Sequence, residues 1–286
     1  MILEEDYKLY NGVKIPKIGL GTWFIENDKV VDAVKEAVKI GYRHIDTAQA
    51  YQNEEGVGRG VRDSGVKRET LFVTTKLAAE VKSYAEAHDA IDRSLQILGL
   101  DYIDLMIIHS PKPWMKYQGD DRYFAGNRQA WKALEEAYKA GKLKAIGLSN
   151  FEENDILNIL ETCTVKPMVN QILAHISNTP ESLIRFCQQH DILVEAYSPI
   201  GHGELFKNEI IARMAEKYHV SIPQLSIRYD LQLGLLPLPK TANPDHMRNN
   251  AQLDFSISDD DMEILKNMAP IMDYGEASIF PVYSGV

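Results

Sequence analysis

Cysteine is scarce: Cys163 and Cys187 are the only two in 286 residues, and neither belongs to a Cys-x-x-Cys pair. Two thiols cannot build a disulfide scaffold, and they read as reduced packing residues rather than redox centres. Positive charge is also short. The 31 Lys and Arg stand against 41 Asp and Glu, giving a formal net charge of −10, so nucleic acid or an anionic membrane would meet net repulsion. No apolar run reaches the roughly 18 residues that span a bilayer. The first residues, Met-Ile-Leu-Glu-Glu-Asp, are acidic where a secretory signal is basic. A cytoplasmic location is therefore expected, with neither membrane nor nucleic acid as partner. Heptads are missing, and no large apolar surface stretch calls for obligate assembly, so a monomer or weak dimer is expected. Missing too is a Gly-x-Gly-x-x-Gly turn between strand and helix, the phosphate-binding signature of a doubly wound sheet. The nearest stretch, Gly56-Val57-Gly58-Arg59-Gly60, lacks that spacing and reads as close helix packing.

What is present is an ordinary globular composition, 45% hydrophobic and 25% charged, with ample apolar surface for a core. An Asn11-Gly12 pair within residues 8–15 predicts a β-hairpin outside the main sheet. From there strands and helices alternate. Strands are expected at residues 18–20, 44–46, 71–75, 103–109, 145–149, 168–171, 193–197 and 235–238. Helices are expected at residues 28–40, 53–64, 84–98, 128–140, 154–161 and 180–190, as a pair over 208–232, and after Asn243-Pro244. Eight apolar strands separated by helices imply a parallel sheet covered on its outer face, and eight is the number that closes into a TIM barrel. The expectation is α/β, a single (β/α)8 barrel domain over residues 1–286 with an N-terminal β-hairpin and a C-terminal tail. The long connection at residues 110–127, with Trp114, Tyr117, Tyr123 and Phe124, reads as a lid or binding loop. The tail, carrying Tyr274, Phe280 and Tyr283, is a second candidate for a pocket wall.

In such a barrel, ligands bind at the rim outside the carboxyl ends of the strands. The second strand delivers Asp46 and, in the loop after it, Tyr51; the third ends Thr74-Thr75-Lys76; the fourth ends Ile107-Ile108-His109. Those stretches, together with Gly19-Leu20-Gly21-Thr22-Trp23, Gly147-Leu148-Ser149-Asn150-Phe151, Ala196-Tyr197-Ser198-Pro199 and Pro239-Lys240-Thr241, give a chain that resembles the aldo-keto reductases along nearly its whole length. The resemblance implies an NADP-dependent enzyme that reduces an aldehyde or ketone, a small-molecule carbonyl substrate, and Tyr51, Lys76, Asp46 and His109 as the catalytic residues. Tyr51 would be the proton donor. A lysine about 4 Å from a phenol at an effective dielectric of ~20 favours phenolate by ~4 kcal/mol, about three pKa units. Asp46, paired with Lys76, would offset part of that shift. His109 would donate a hydrogen bond to the substrate oxygen.

The resemblance further implies that Ser149, Asn150 and Gln171 hold the nicotinamide carboxamide, with Tyr197 stacked on its ring. The stretch from Ser198 to Leu205 would fold over the pyrophosphate, and Lys240 and Thr241 would meet the 2′-phosphate of NADPH. His246 and Asn250 belong to the adenosine side, where the family usually carries an arginine and a Glu-Asn pair; this chain has His246 and Asn249-Asn250. Histidine gives up a fixed charge and a bidentate fork, so NADH should be used beside NADPH, with a preference below about a thousandfold. Ser110 stands where relatives often have tryptophan after the catalytic histidine, and Trp23, Phe24 and Trp114 would supply the apolar pocket walls. The usual Gln-x-Glu reads Gln171-Ile172-Leu173 here.

Each of these residues alone has a duller explanation, such as a surface ammonium, a core-edge histidine or a loop aromatic. Two rival readings deserve weight. A metal-dependent barrel hydrolase would use His44, Asp46, His109, His175 and His202 as ligands, but it leaves Tyr51 and Lys76 without roles. No metal is expected, and His175 and His202 read as structural or loop residues. A redox-sensing, NADP-binding barrel without turnover is the other.

Overall fold

Along residues 1–283, the part of the chain that the computed structural model describes, short strands alternate with amphipathic helices. Strands β1 (Asp6–Lys8) and β2 (Lys14–Pro16) pair antiparallel, with Tyr7 opposite Ile15. Strands β3 (Leu20–Gly21), β4 (His44–Asp46), β5 (Phe72–Leu77), β6 (Ile103–Ile108), β7 (Leu143–Ser149), β8 (Val169–Leu173), β9 (Leu193–Tyr197) and β10 (Leu236–Leu238) form one sheet in sequence order. All neighbours are parallel. The first and last of these strands then meet. The Gly19 amide donates to the Pro237 carbonyl at 3.2 Å and the Gly21 amide to Pro239 at 3.0 Å, closing the sheet into the expected (β/α)8 barrel.

Helices α1 (Asn27–Ile40), α2 (Glu54–Arg62), α3 (Tyr84–Leu98), α4 (Phe124–Lys139), α5 (Glu153–Leu160), α6 (Glu181–Gln189), α7 (Glu209–Lys217), α8 (Ile222–Gln232), α9 (Pro244–Asn250) and α10 (Asp259–Lys266) cover the outside. Several starts are written in the local sequence. Ser83, Ser221 and Ser258 accept hydrogen bonds from amides of the first turns of α3, α8 and α10, satisfying donors that a helix leaves open. The apolar stripe of α1, with Val30, Val34, Ala37 and Val38, is buried in the same core as Ile45 and Val73. The glycines of α2 are there for contact: a Cβ on Gly58 would lie 1.9 Å from the Leu98 carbonyl oxygen, and one on Gly56 would lie 2.0 Å from that of Asn27. No side chain fits between those backbones.

Inside the barrel the layers differ. Phe72, Leu105, Ile107, Ala145, Val169, Leu236 and Leu238 form an apolar plug, and Leu9 and Ile15 of the β1–β2 segment join it. The hairpin thus seals the amino-terminal mouth, opposite the rim that carries Tyr51. Above the plug the inward positions turn polar: His44 and Asp46 on β4, Thr74 and Lys76 on β5, Gln171 on β8 and Glu195 on β9 are all buried.

Two boundaries differ from the sequence reading for identifiable reasons. Strand β5 extends through Lys76 to Leu77 instead of stopping at Thr75, because its polar side chains have buried partners: Thr75 donates to Glu54 at 2.6 Å and Lys76 reaches Asp46. Helix α4 opens at Phe124 rather than at residue 128, set off by the left-handed Tyr123 (φ 53°). Among the described residues, no helix is long and apolar enough to cross a membrane.

Candidate active site

The rim is built on one buried ion pair. Lys76 is 0% exposed, and its ammonium donates to Asp46 Oδ1 at 2.5 Å and to the Thr47 carbonyl at 2.8 Å. Register explains the pairing, since Asp46 lies beside Thr74 across β4 and β5 and the inward position two residues on is Lys76. The other carboxylate oxygen of Asp46 accepts from Gln171 Nε2 at 2.9 Å, and the same nitrogen donates to Glu195 Oε2 at 2.7 Å. Behind them His44 Nε2 meets Thr74 Oγ1 at 2.9 Å. Burial, then the Lys76 charge, pushes the His44 pKa down to about 3, so its ring is neutral. Burial, then Asp46, pushes the Glu195 carboxyl up to about 8.

Tyr51 follows β4 in a short 3-10 turn, Gln49–Tyr51. The Lys76 ammonium lies 4.8 Å from the centre of its ring, and the His109 ring stands edge-on to it at 5.7 Å. The phenol is not acidified as expected. Burial, then Asp46, holds its pKa well above that of a free tyrosine, because the Lys76 charge is spent on Asp46 and faces the ring. Tyr51 therefore keeps its proton throughout the neutral range. His109 is buried, and burial followed by Lys76 holds its pKa well below the usual value. Its Nδ1 is buried without a hydrogen-bond partner, which costs least as a bare lone pair, so the ring proton belongs on Nε2.

The opposite arc brings the expected cofactor residues together at the ends of β7, β8 and β9. Tyr197 donates to Asn150 Oδ1 at 2.7 Å, while Asn150 Nδ2 donates to the His109 carbonyl at 3.0 Å and to Ser149 Oγ at 3.1 Å. Asn150 sits in the left-handed region at φ 60°, as does Ser198 at φ 51°. Ser198 Oγ is 2.8 Å from the Tyr283 hydroxyl and 3.2 Å from His202 Nε2. Leu205 is fully buried in a separate apolar cluster with Ile176, Ile211 and Leu225, so its side chain packs rather than lining the rim. Lys240 and His246 are exposed and Asn250 is buried. Thr241 Oγ1 accepts from the Asn243 amide at 3.0 Å, and Arg248 pairs with Asp245 at 2.8 Å.

Aromatic side chains wall the space between the arcs. Trp23 stacks on the exposed Phe24 at 4.3 Å, stands 6.3 Å from Tyr51, and meets Phe280 at 5.0 Å and Tyr283 at 6.2 Å. On the other flank Trp114 stands edge-on to His109 at 5.2 Å and stacks on Tyr117 at 5.8 Å. A cavity of about 420 Å³ opens along residues 114–123, lined by both of these rings. The ends of this loop are held by two side chains: Lys82 donates to the Ser110 carbonyl at 2.9 Å and to Asn127 Oδ1 at 2.8 Å, and Asn127 Nδ2 donates to the Pro111 carbonyl at 2.9 Å.

Sequence reasoning missed three of these residues. Glu195 had a signal, a lone acid two residues before Tyr197 in an apolar strand and so facing the same interior. His202, read as a loop residue, stands 5.6 Å from Trp23 and 4.5 Å from Tyr283. Lys82 had no local signal, since its partners lie 28 and 45 residues away. The histidines of the hydrolase reading do not gather. His44 bonds Thr74, while His175 meets the Ile176 carbonyl and the Tyr274 hydroxyl. Among the described residues, no three His, Cys, Asp or Glu side chains group as metal ligands.

Comparison with known proteins agrees in family. Residues 17–270 match the model of the aldo/keto reductase family. The chain is 42% identical over 263 residues to the glyoxal reductase of Bacillus subtilis, covering 91% of each. Among solved structures, an aldo/keto reductase from Brucella melitensis superposes with a TM-score of 0.86 at 36% identity, over 93% of this chain and 98% of that one. A Bombyx mori aldo-keto reductase in complex with NADP gives 0.85 at 32% identity, over 98% of each.

Proposed function

The chain belongs to the aldo/keto reductase family, and from that premise we propose that it reduces a small aldehyde or ketone with NADPH, using Tyr51 as proton donor. The observation that carries this reading is the convergence of Tyr51, the wholly buried Lys76–Asp46 pair and a neutral His109 at successive strand ends. Surface residues have no reason to meet in that way.

The fit of a nicotinamide dinucleotide rests on the hydrogen-bonding capacity left at the rim. Both amide hydrogens of Gln171 are committed to Asp46 and Glu195, which leaves its carbonyl oxygen to accept. Ser149 Oγ accepts from Asn150, which leaves its hydroxyl to donate. One acceptor beside one donor matches the N–H and C=O of a carboxamide. Asn150 spends its own amide on Tyr197, Ser149 and His109, and so aligns the others. Tyr197 would offer its ring as a platform, and the turn from Ser198 to Gly203, with left-handed His202 and Gly203, would present backbone to the diphosphate.

When bound, the dinucleotide supplies a hydride to the carbonyl carbon. The protein's part is to orient the substrate and give the proton. His109 Nε2–H donates to the carbonyl oxygen and holds it beside the Tyr51 hydroxyl. A phenol with a raised pKa is too weak an acid to protonate a carbonyl outright, but it donates readily to an alkoxide as negative charge grows. Lys76 and Thr47 fix the strand ends around it, and the rings of Trp23, Phe280 and Trp114 keep water from the reacting oxygen.

The aromatic walls and the family relationship to a glyoxal reductase make small aldehydes and dicarbonyls the first substrates to test. A screen following NADPH absorbance with glyoxal, an aromatic aldehyde, a keto ester and an open-chain sugar checks this; consumption of NADPH matched by alcohol formed is expected with at least one. The absence of consumption with any carbonyl would contradict it. On the adenosine side, exposed His246 lacks a fixed charge and Arg248 is engaged by Asp245, leaving Lys240 as the main free cation for a 2′-phosphate. The NADPH preference in kcat/KM should lie below about a thousandfold, and His246→Arg should raise it about tenfold. A wild-type preference above that bound would contradict the assignment.

A further inference from the structure

Glu195 takes no part in the proton or hydride transfer above, yet it occupies the centre of the barrel. It is 0% exposed, and its Oε2 shares the Gln171 amide with Asp46. The groups that face it are few. Strand β4 presents His44, whose Nε2 is 4.0 Å from Glu195 Oε1, and Asp46; β5 presents Thr74 and Lys76; β8 presents Gln171. Strand β10 contributes the apolar Leu236 and Leu238, and β6 and β7 contribute Leu105, Ile107 and Ala145. At the rim, on the same strand, stands the phenol of Tyr197. His44 is neutral, so two carboxyl groups face a single ammonium.

Two buried carboxylates against one cation leave an uncompensated charge in a dry interior, and the less costly state places a proton on one of them. Asp46 has the ion pair. Glu195 has only the amide, and its Oε1 has no partner, so the proton belongs on Glu195. The neutral acid still accepts from Gln171. With Asp46 it consumes both amide hydrogens, and this fixes which end of Gln171 faces the cofactor.

We propose that Glu195 is a positioning residue whose proton is linked to the charge of the nicotinamide: it leaves the Gln171 carbonyl free for the carboxamide, stays neutral when the uncharged reduced dinucleotide binds, and gives up its proton to solvent when the cationic oxidised form binds. This rests on the carbonyl-reductase reading of the same site. By linkage, an ion pair gained by deprotonation makes NADP+ binding tighten with pH while NADPH binding does not. Burial raises the carboxyl of the free protein to about 8, so the tightening runs up to about pH 8 and levels off above it. Titration of the 2′-phosphate is common to both forms and cancels in their ratio.

The test measures dissociation constants of NADP+ and NADPH between pH 6.5 and 9.5 for the wild type and Glu195→Gln, by quenching of intrinsic fluorescence. In the wild type the ratio Kd(NADP+)/Kd(NADPH) should fall about fivefold or more from pH 7 to 9, and in Glu195→Gln it should stay flat. An unchanged fall in the variant, or a flat wild type, would overturn the proposal. Should the variant not fold, difference infrared spectra of the wild type at pH 7.5 decide: NADP+ should abolish a protonated-carboxyl band that NADPH leaves in place, and persistence of that band overturns the link. Carbonyl reduction with a flat ratio would sink this inference alone. The expected ratio without carbonyl reduction would sink the function alone, and failure to bind either dinucleotide would sink both.

Discussion

At the scale of single residues, burial decides the chemistry more than charge does. Lys76 is a cation within reach of a phenol, yet burial, then the Asp46 charge, holds Tyr51 above its ordinary pKa. Which residues would meet could be read from their positions at strand ends. The direction of the Tyr51 shift could not, because it depends on solvent exclusion that no spacing reveals. Glu195 carries a second consequence. Its folded pKa is raised from 4.5 to about 8, so between those values the native state holds a proton that the unfolded chain has released. The stability it contributes is present below about pH 4.5 and is lost as pH rises through 8. Glu195→Gln removes that loss. The stability difference, variant minus wild type in urea melts, should rise on the order of 1 kcal/mol per pH unit from pH 5 to 8 and then level off. A difference independent of pH would place the carboxyl outside the low-dielectric interior.

At the scale of elements, type and order were legible from periodicity, and ends were not. Strand β5 looked finished at Thr75 because Lys76 is polar, but a polar side chain with a buried partner continues a strand as well as an apolar one. The glycines of α2 were legible as packing glycines, since their spacing fits helix contact rather than a phosphate loop. The loop after β6 was legible as a wall by its aromatics, but not its fastening. Lys82 pins both ends, and burial lowers its pKa to about 7. Lys82→Met should loosen residues 110–127. We expect faster amide exchange confined to that segment and a substrate KM raised about threefold to tenfold, with a global stability loss of about 1–3 kcal/mol from the unsatisfied carbonyl and amide. Unchanged exchange in the loop would show that its own rings hold it.

At the scale of the whole molecule, the barrel divides labour by depth and by arc. The hairpin and the apolar plug close the amino-terminal mouth, a polar layer of His44, Lys76, Gln171 and Glu195 lies above it, and the rim carries Tyr51 and His109 on one side and Ser149, Asn150 and Tyr197 on the other, the proposed proton donor and carboxamide site. Eight apolar segments and the residues at their ends made the barrel and its two arcs legible in the sequence, but not the hairpin's seat on the plug or the polar layer with Glu195. The cross-barrel hydrogen bonds, from Gln171 on β8 to Asp46 125 residues earlier, were beyond reach, because closure is what brings them together. The joining of the two arcs at one substrate oxygen is the central claim, and Tyr51→Phe tests it most directly. The substitution removes one hydroxyl and leaves the ring against Lys76 and His109. With a carbonyl that the wild type reduces, kcat should fall by about a thousandfold, within the range for loss of a general acid, while NADPH still binds within about threefold of the wild-type Kd. A variant that retains wild-type kcat would contradict the assignment of Tyr51 as proton donor.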